Sequence, residues 1–182
     1  HCWKTNGHGK MNVTDAIKQS CDVFFYEISK KVGIDKIAEV ALDFGLGQSY
    51  DISMPNQKKG IIPNKSWKKN RMDESWYPGE TLISAIGQGF VLTNPLQLAV
   101  MTSIIASNGK MIKPSILKNQ RSNFKVNTKY SNEIKIIKEA MYKVVNENKG
   151  TAYKSRLEDV KFAGKTGTSQ VKRISLSARE SD

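Results

Sequence analysis

Apolar residues recur at helical spacing in four stretches of the chain. The first runs from Val13 to Lys31, with Ile17, Val23, Phe24 and Ile28 on apolar positions. Ser20-Cys21-Asp22 interrupts it. These residue types favour caps and turns over helix interiors, so the pattern predicts two short helices with a tight joint at Ser20. Asn12, with Asp15 three residues on, reads as the start of the first helix: a cap and a carboxylate in the first turn. Gly33 ends the second. A third helix is expected from about Ile34 to Phe44, with Ile34, Ile37, Val40, Ala41 and Phe44 on one face and Gly45 and Gly47 closing it. Asn94-Pro95-Leu96-Gln97 is a strong start signal: a cap, Pro at the first helical position and Gln at the third. That helix is expected to reach about Ser107, where Asn108-Gly109 stops it. The last runs from about Asn132 to Asn148, with Ile134, Ile137, Met141, Val144 and Val145 inward.

Two stretches lack helical periodicity. Residues 46–80 carry Pro55, Gly60, Pro63, Pro78 and Gly79 and read as a long irregular connection, a feature that is usually functional or mobile. Val160 to Val171 reads as a strand with Gly164 and Gly167 inside it. Glycine within a strand marks the close approach of another backbone or a ligand. No internal repeat or low-complexity tract is visible.

Composition narrows the class. The chain has 182 residues, of which 38% are hydrophobic. That suits one domain with a packed core and excludes wholesale disorder. No apolar run is long enough to span a membrane, and 2 Cys exclude a disulfide-rich scaffold. The net charge of +12 is lopsided: residues 1–94 carry +2 and residues 95–182 carry +10. Only 5 of the 29 basic residues are Arg, the preferred bidentate reader of phosphate and guanine. The tightest basic run, Lys58, Lys59, Lys65, Lys68, Lys69 and Arg71, has one aromatic, Trp67, and no nucleic-acid module around it. The charge therefore reads as a solvated Lys-rich surface. The alternative is a basic non-catalytic binding module for an anionic polymer or nucleic acid.

Two short motifs carry chemistry. Ser20-Cys21-Asp22 sits at the helix joint. Lys165-Thr166-Gly167-Thr168 sits on the Gly-flanked strand, 145 residues later. Each alone is common, as a helix cap and as an edge strand with a solvated Lys. Together, in this order, and with Ile86-Gly87-Gln88-Gly89, Thr93-Asn94-Pro95-Leu96-Gln97-Leu98-Ala99, Gly150-Thr151-Ala152 and Ala163-Gly164 before the Lys, the sequence resembles the transpeptidase domain of class B penicillin-binding proteins of the elongation type. The resemblance covers almost the whole chain.

The resemblance implies an α+β fold, with helices packed on an antiparallel sheet that is incomplete here. It also implies acyl transfer. In that family a serine attacks a D-alanyl-D-alanine stem peptide, a neighbouring Lys acts as base, and the acyl group passes to an amine on a second peptide. Beta-lactams acylate the same serine. On this chain Ser20 would help shuttle a proton to the leaving group, and Asp22 would orient the Lys network by hydrogen bonds. Lys165 and Thr166 would face the substrate carboxylate. Gly167 would leave room for the substrate to lie along the strand, and the Thr168 N–H would form half of an oxyanion hole. The implied partners are peptidoglycan stem peptides, beta-lactams and the membrane-bound elongation machinery, with no nucleic acid. The implied location is the periplasmic face of the bacterial inner membrane, on an anchored parent protein.

The nucleophile motif of the family, Ser-x-x-Lys, precedes Ser-x-Asp in the chain. His1 to Gln19 contains no Ser, and all five Ser-x-x-Lys matches (at Ser66, Ser107, Ser115, Ser122 and Ser169) follow Ser20. Residues 1–182 are therefore expected to be a partial transpeptidase domain, truncated at both ends. By itself it is expected neither to transpeptidate nor to bind penicillin covalently. No cofactor is expected and no metal site is assigned. His1, Cys2, His8 and Cys21 are of the ligand types zinc prefers. A structural zinc held by Cys2, His8 and Cys21 stays a hypothesis, because Cys-x5-His-x12-Cys matches no zinc-finger or ribbon spacing.

Overall fold

The structure is a computed structural model that describes residues 2–53, 55–117 and 126–169. Among these residues the seven α-helices are α1 (Val13–Lys18), α2 (Asp22–Val32), α3 (Ile34–Asp43), α4 (Lys65–Met72), α5 (Pro78–Ala85), α6 (Pro95–Ala106) and α7 (Ser131–Asn146). They form two packed groups. In one, α7 lies against α1 and α6; in the other, α2 packs on α5, and α3 touches both. The short joint between α1 and α2 links the groups. The core is built from Ala16, Ile34, Ala38, Val100, Ile104, Ile134, Ala140, Val144 and Val145, all essentially inaccessible. Each fully buried Val or Ile contributes about 1.5–3 kcal/mol by leaving water.

Local signals place most helix ends where the sequence puts them. Asn12 Oδ1 accepts from the Asp15 amide at 2.8 Å, and Asn94 Oδ1 accepts from the Gln97 amide at 3.0 Å. The Gln97 side chain does not close a capping box. It is fully buried and donates instead to the carbonyls of Gln48 at 2.6 Å and Lys59 at 2.9 Å. It thereby straps the 48–59 loop to α6 through two loop carbonyls.

The expected irregular connection over 46–80 is only partly irregular. It contains α4 and the start of α5. The signal for α4 is local: Asn64 Oδ1 caps it, accepting from the Trp67 amide at 2.7 Å. Hydrophobic periodicity misses it because its inward residue is Lys68, 1% exposed. The Lys68 ammonium donates to Glu80 at 2.5 Å, pairs with Glu74 at 3.3 Å and sits 4.3 Å from the centroid of the Tyr77 ring. Desolvation is the largest single influence on Lys68 and lowers its pKa. The two carboxylates together outweigh it, so the net direction is upward. Glu80 uses its other oxygen to accept from the Tyr77 amide at 2.8 Å, capping α5.

The sheet is the second difference. Residues 160–169 have no regular secondary structure and form no strand ladder, and the described residues hold only two isolated bridges, Ile61 with Leu92 and Lys110 with Val126. A strand is defined by a neighbour to pair with, and the 160–169 segment lies along α7 instead. Gly164 N–H donates to the Met141 carbonyl at 3.1 Å, and Asn146 Nδ2 donates to the Phe162 carbonyl at 2.8 Å. Gln170 and Val171, the end of the expected strand, lie outside the described residues, as does Ser122. Among the described residues no helix is long and apolar enough to cross a membrane.

A charged clamp ties α3 to the entrance of α7. Lys129 Nζ reaches Glu39 at 2.8 Å and Asp43 at 3.1 Å, and the Tyr130 hydroxyl donates to Asp43 at 2.5 Å. Hydrogen bonds from Lys129 and then Lys36 hold the Glu39 carboxyl down at about 2, against an ordinary 4.5. A depressed carboxyl stabilises the fold above its unfolded pKa, and that contribution fades as the pH falls through the folded one. The thermal midpoint of Lys129→Met should therefore lie below that of the native protein near neutral pH, and the gap should close between about 4.5 and about 2. A gap independent of pH would contradict the clamp.

Candidate active site

The site is built on the end of α1. The Ser20 amide donates to the Ile17 carbonyl at 3.2 Å and the Cys21 amide to the Ala16 carbonyl at 2.9 Å. This pair of bonds is the helix-ending turn that normally takes glycine at the left-handed position. Here that position is Ser20, with φ of 51°. A side chain with a Cβ in that conformation costs about 1–2 kcal/mol. The backbone then turns directly into α2, so Asp22 stands in its first turn, where a carboxylate suits the helix dipole.

Lys165 arrives from the other end of the chain. Its Nζ donates to Ser20 Oγ at 2.8 Å and to the Thr166 carbonyl at 2.7 Å, with Thr166 Oγ1 at 3.4 Å. The two motifs singled out in the sequence thus meet side chain to side chain. Partial desolvation lowers the Lys165 pKa, and the Asp22 charge opposes this. The Lys165 side chain is nonetheless solvent-exposed. Among the described residues Asp22 makes no hydrogen bond to Lys165 and acts on it through charge alone. Gly167 and Thr168 are exposed, and a Cβ on Gly167 would meet open space.

One further residue joins the site. Thr151 Oγ1 lies 2.8 Å from Thr166 Oγ1, and the Thr151 amide donates to the Lys18 carbonyl at 3.2 Å. The preceding Gly150 sits so close to the Val144 and Lys143 carbonyls that a Cβ there would collide with backbone. The sequence marks this turn as part of a motif but assigns Thr151 no role, because a role visible only through a contact 15 residues away has no local signature.

This arrangement can be set against known proteins. The family model for the penicillin binding protein transpeptidase domain matches residues 1–178. The chain belongs to the penicillin-binding protein transpeptidase family. It is 35% identical to the peptidoglycan D,D-transpeptidase MrdA of Acinetobacter baumannii over 97% of this chain and 28% of that protein. It is 33% identical to MrdA of Escherichia coli K12 over 93% of this chain and 29% of that protein. Among solved structures, Helicobacter pylori PBP2 in complex with MreC superposes with a TM-score of 0.88 at 37% identity, over 94% of this chain and 33% of that one. Pseudomonas aeruginosa PBP2 in complex with WCK 5153 gives 0.84 at 33% identity, over 94% and 41%. The chain therefore spans under a third of the length of these curated relatives.

A second cluster in this transpeptidase chain adjoins the joint. One ligand atom each from Cys2, His8 and Cys21 lies within 4.8 Å of the others. Cys2 Sγ is 3.4 Å from His8 Nδ1, and His8 Nε2 is buried without a hydrogen-bond partner. Cys21 is 5% exposed; desolvation pushes its thiol up and lowers the His8 imidazole. His1, the other residue of that group, lies outside the described residues. The Trp3 indole donates to the Gln19 carbonyl at 2.9 Å and meets His8 edge-on, so the cluster is fastened to the residue before Ser20.

The left-handed turn yields a test. Ser20→Gly and Ser20→Ala both lose the hydroxyl, but only Gly relieves the backbone. In urea denaturation the Gly variant should be more stable than the Ala variant by about 1 kcal/mol. Equal stability would remove the strain argument.

Proposed function

We propose that this chain is the Ser-x-Asp to Lys-Thr-Gly part of a serine D,D-transpeptidase that crosslinks peptidoglycan stem peptides and is acylated by beta-lactams. The observation that carries the reading is the 2.8 Å bond from Lys165 Nζ to Ser20 Oγ, joining residues 145 apart in sequence. A serine on a Ser-x-x-Lys segment preceding Ser20 in the parent protein attacks the D-alanyl carbonyl. That segment's Lys takes the serine proton. Ser20, hydrogen-bonded to Lys165, relays a proton to the departing D-alanine amine. An amine of a second stem peptide then attacks the acyl-enzyme, forming the new amide and releasing the serine. Lys165 and Thr166 hold the substrate carboxylate, Gly167 leaves the substrate backbone room, and the Thr168 N–H faces the developing oxyanion. The Asp22 charge favours the protonated form of Lys165 and opposes the larger effect of desolvation. The 160–169 segment, tied to α7 at Phe162 and Gly164, becomes a strand of the family's antiparallel sheet when partner strands of the parent protein are present. The parent works at the periplasmic face of the inner membrane with the cell-wall elongation machinery, a reading supported by the relative solved with MreC. The Lys-rich second half fits a solvated surface better than a nucleic-acid site. Of its lysines, Lys129 and Lys143 pair with carboxylates, while Lys138 donates to the Ala106 carbonyl and Asn108.

Labelling with a fluorescent penicillin tests this. The parent protein should take up one label per chain, and Lys165→Ala or Ser20→Ala should slow acylation about a hundredfold or more. The 182-residue chain alone should take none. A parent that does not label, or a Lys165→Ala parent that labels at the native rate, overturns the reading. A stoichiometric adduct on the short chain overturns the upstream nucleophile.

A second reading rests on a separate observation, the convergence of Cys2, His8 and Cys21. Zn–S bonds of about 2.3 Å and Zn–N bonds of about 2.0–2.1 Å set tetrahedral donor atoms about 3.5–3.8 Å apart, so atoms that lie within 4.8 Å of one another need to move by about 1 Å at most. An orphaned buried imidazole nitrogen also fits a ligand role. The cluster holds a structural zinc beside Ser20. Elemental analysis should find about one zinc per native chain and markedly less in His8→Ala and Cys21→Ser. No zinc after growth in zinc-rich medium rejects it.

A further inference from the structure

The Thr166 hydroxyl has one hydrogen to donate and two lone pairs to offer. In the reading above, which this inference rests on, that hydrogen must point at a carboxylate. Nothing in the 160–169 segment secures this. The segment is exposed, forms no strand ladder, and its two backbone ties to α7, at Phe162 and Gly164, lie before Thr166. Lys165 Nζ is only 3.4 Å from Thr166 Oγ1 and directs its shorter bonds to Ser20 Oγ and the Thr166 carbonyl. Among the described residues, the one short contact to the Thr166 hydroxyl is Thr151 Oγ1 at 2.8 Å.

Thr151 is well anchored for such a task. Its amide donates to the carbonyl of Lys18, the last residue of α1 and two residues before Ser20. The next amide, of Ala152, donates to the Val144 carbonyl of α7 at 3.1 Å, and Gly150 packs directly on that same turn of helix. The Thr151 hydroxyl is therefore fixed relative to the two helices that carry the site. If Thr166 donated to Thr151, its only hydrogen would be used up. If Thr151 donates, Thr166 keeps its hydrogen for the ligand and receives a defined orientation.

We propose that Thr151 is a positioning residue whose hydroxyl donates to Thr166 Oγ1 and so aims the Thr166 hydroxyl hydrogen at the carboxylate of an incoming stem peptide or beta-lactam. Thr151 does not touch the reacting atoms. Its effect falls on capture of the carboxylate, before bond making.

The test uses the parent protein and a fluorescent penicillin, with half-saturation concentration and maximal acylation rate determined separately. Thr151→Val keeps the shape and removes the hydroxyl. It should raise the half-saturation concentration about tenfold, the scale of one hydrogen bond to a charged group, with the maximal rate within about twofold of native. Thr151→Ser should restore native behaviour. On a Thr166→Val background, Thr151→Val should have no further effect, since the two act as one unit. A Thr151→Val protein with native half-saturation, a loss confined to the maximal rate, failure of Ser to rescue, or additive effects of the two valines would each overturn the proposal. If the unsubstituted parent takes no label, the transpeptidase reading fails and this one falls with it. A labelled parent indifferent to Thr151 removes this inference alone.

Discussion

The packing of α1 against α7 is the constraint on which the site depends. α1 is a six-residue helix, too short to be stable alone. It is held because Ala16 is buried against neighbours without needing space of its own, and because α7 presents Ala140, Val144 and Val145 on one buried face. Lys18 adds an ion pair to Glu147 at 3.2 Å across the contact. Once that pairing exists, the C-terminal end of α1 has a defined position. Ser20 and the Thr151 turn are both fastened to it, and α7 carries the segment that delivers Lys165. A shift of α1 on α7 would separate Ser20 from Lys165 and Thr151 from Thr166 together.

The left-handed Ser20 follows from the same constraint. Glycine would end α1 with less strain, but it has no hydroxyl to meet Lys165. The backbone conformation is held by two amide bonds back into α1 and by the immediate start of α2. The turn thus over-determines a left-handed conformation that a residue with a Cβ adopts only at a cost. The Cys2, His8 and Cys21 cluster and the Trp3 bond to the Gln19 carbonyl brace this joint from its other side.

Charge organises the rest of the molecule more than the bare total suggests. Lys68 stands at an inward position of α4, held by two carboxylates and an aromatic ring. Lys129 links the entrance of α7 to two carboxylates of α3. Removing either partner of the buried pair would leave an uncompensated charge, which costs far more than the pair contributes. Both lysines tie elements together, but only Lys68 is withdrawn from the surface; Lys129 stays half-exposed.

Helix ends were legible in the sequence because they are local. Asn12, Gly33 and Asn94 each act on amides or dihedrals within a few residues, and the joint at Ser20 follows from three residues that resist a helix interior. The Ser-x-Asp and Lys-Thr-Gly motifs, with the stretches between them, were enough to identify the family. The structure alone decided what depends on distant partners. The burial of Lys68 needs Glu74 and Glu80, so no apolar stripe announced α4. The pattern over residues 160–169 reads as a strand, but a ladder requires a second strand, and the hydrogen bonds of Phe162 and Gly164 go to α7 instead. The contact of Lys165 with Ser20, and of Thr151 with Thr166, exists only because α1 and α7 bury apolar faces against each other. The sequence named the two motifs; long-range packing set the distances between them.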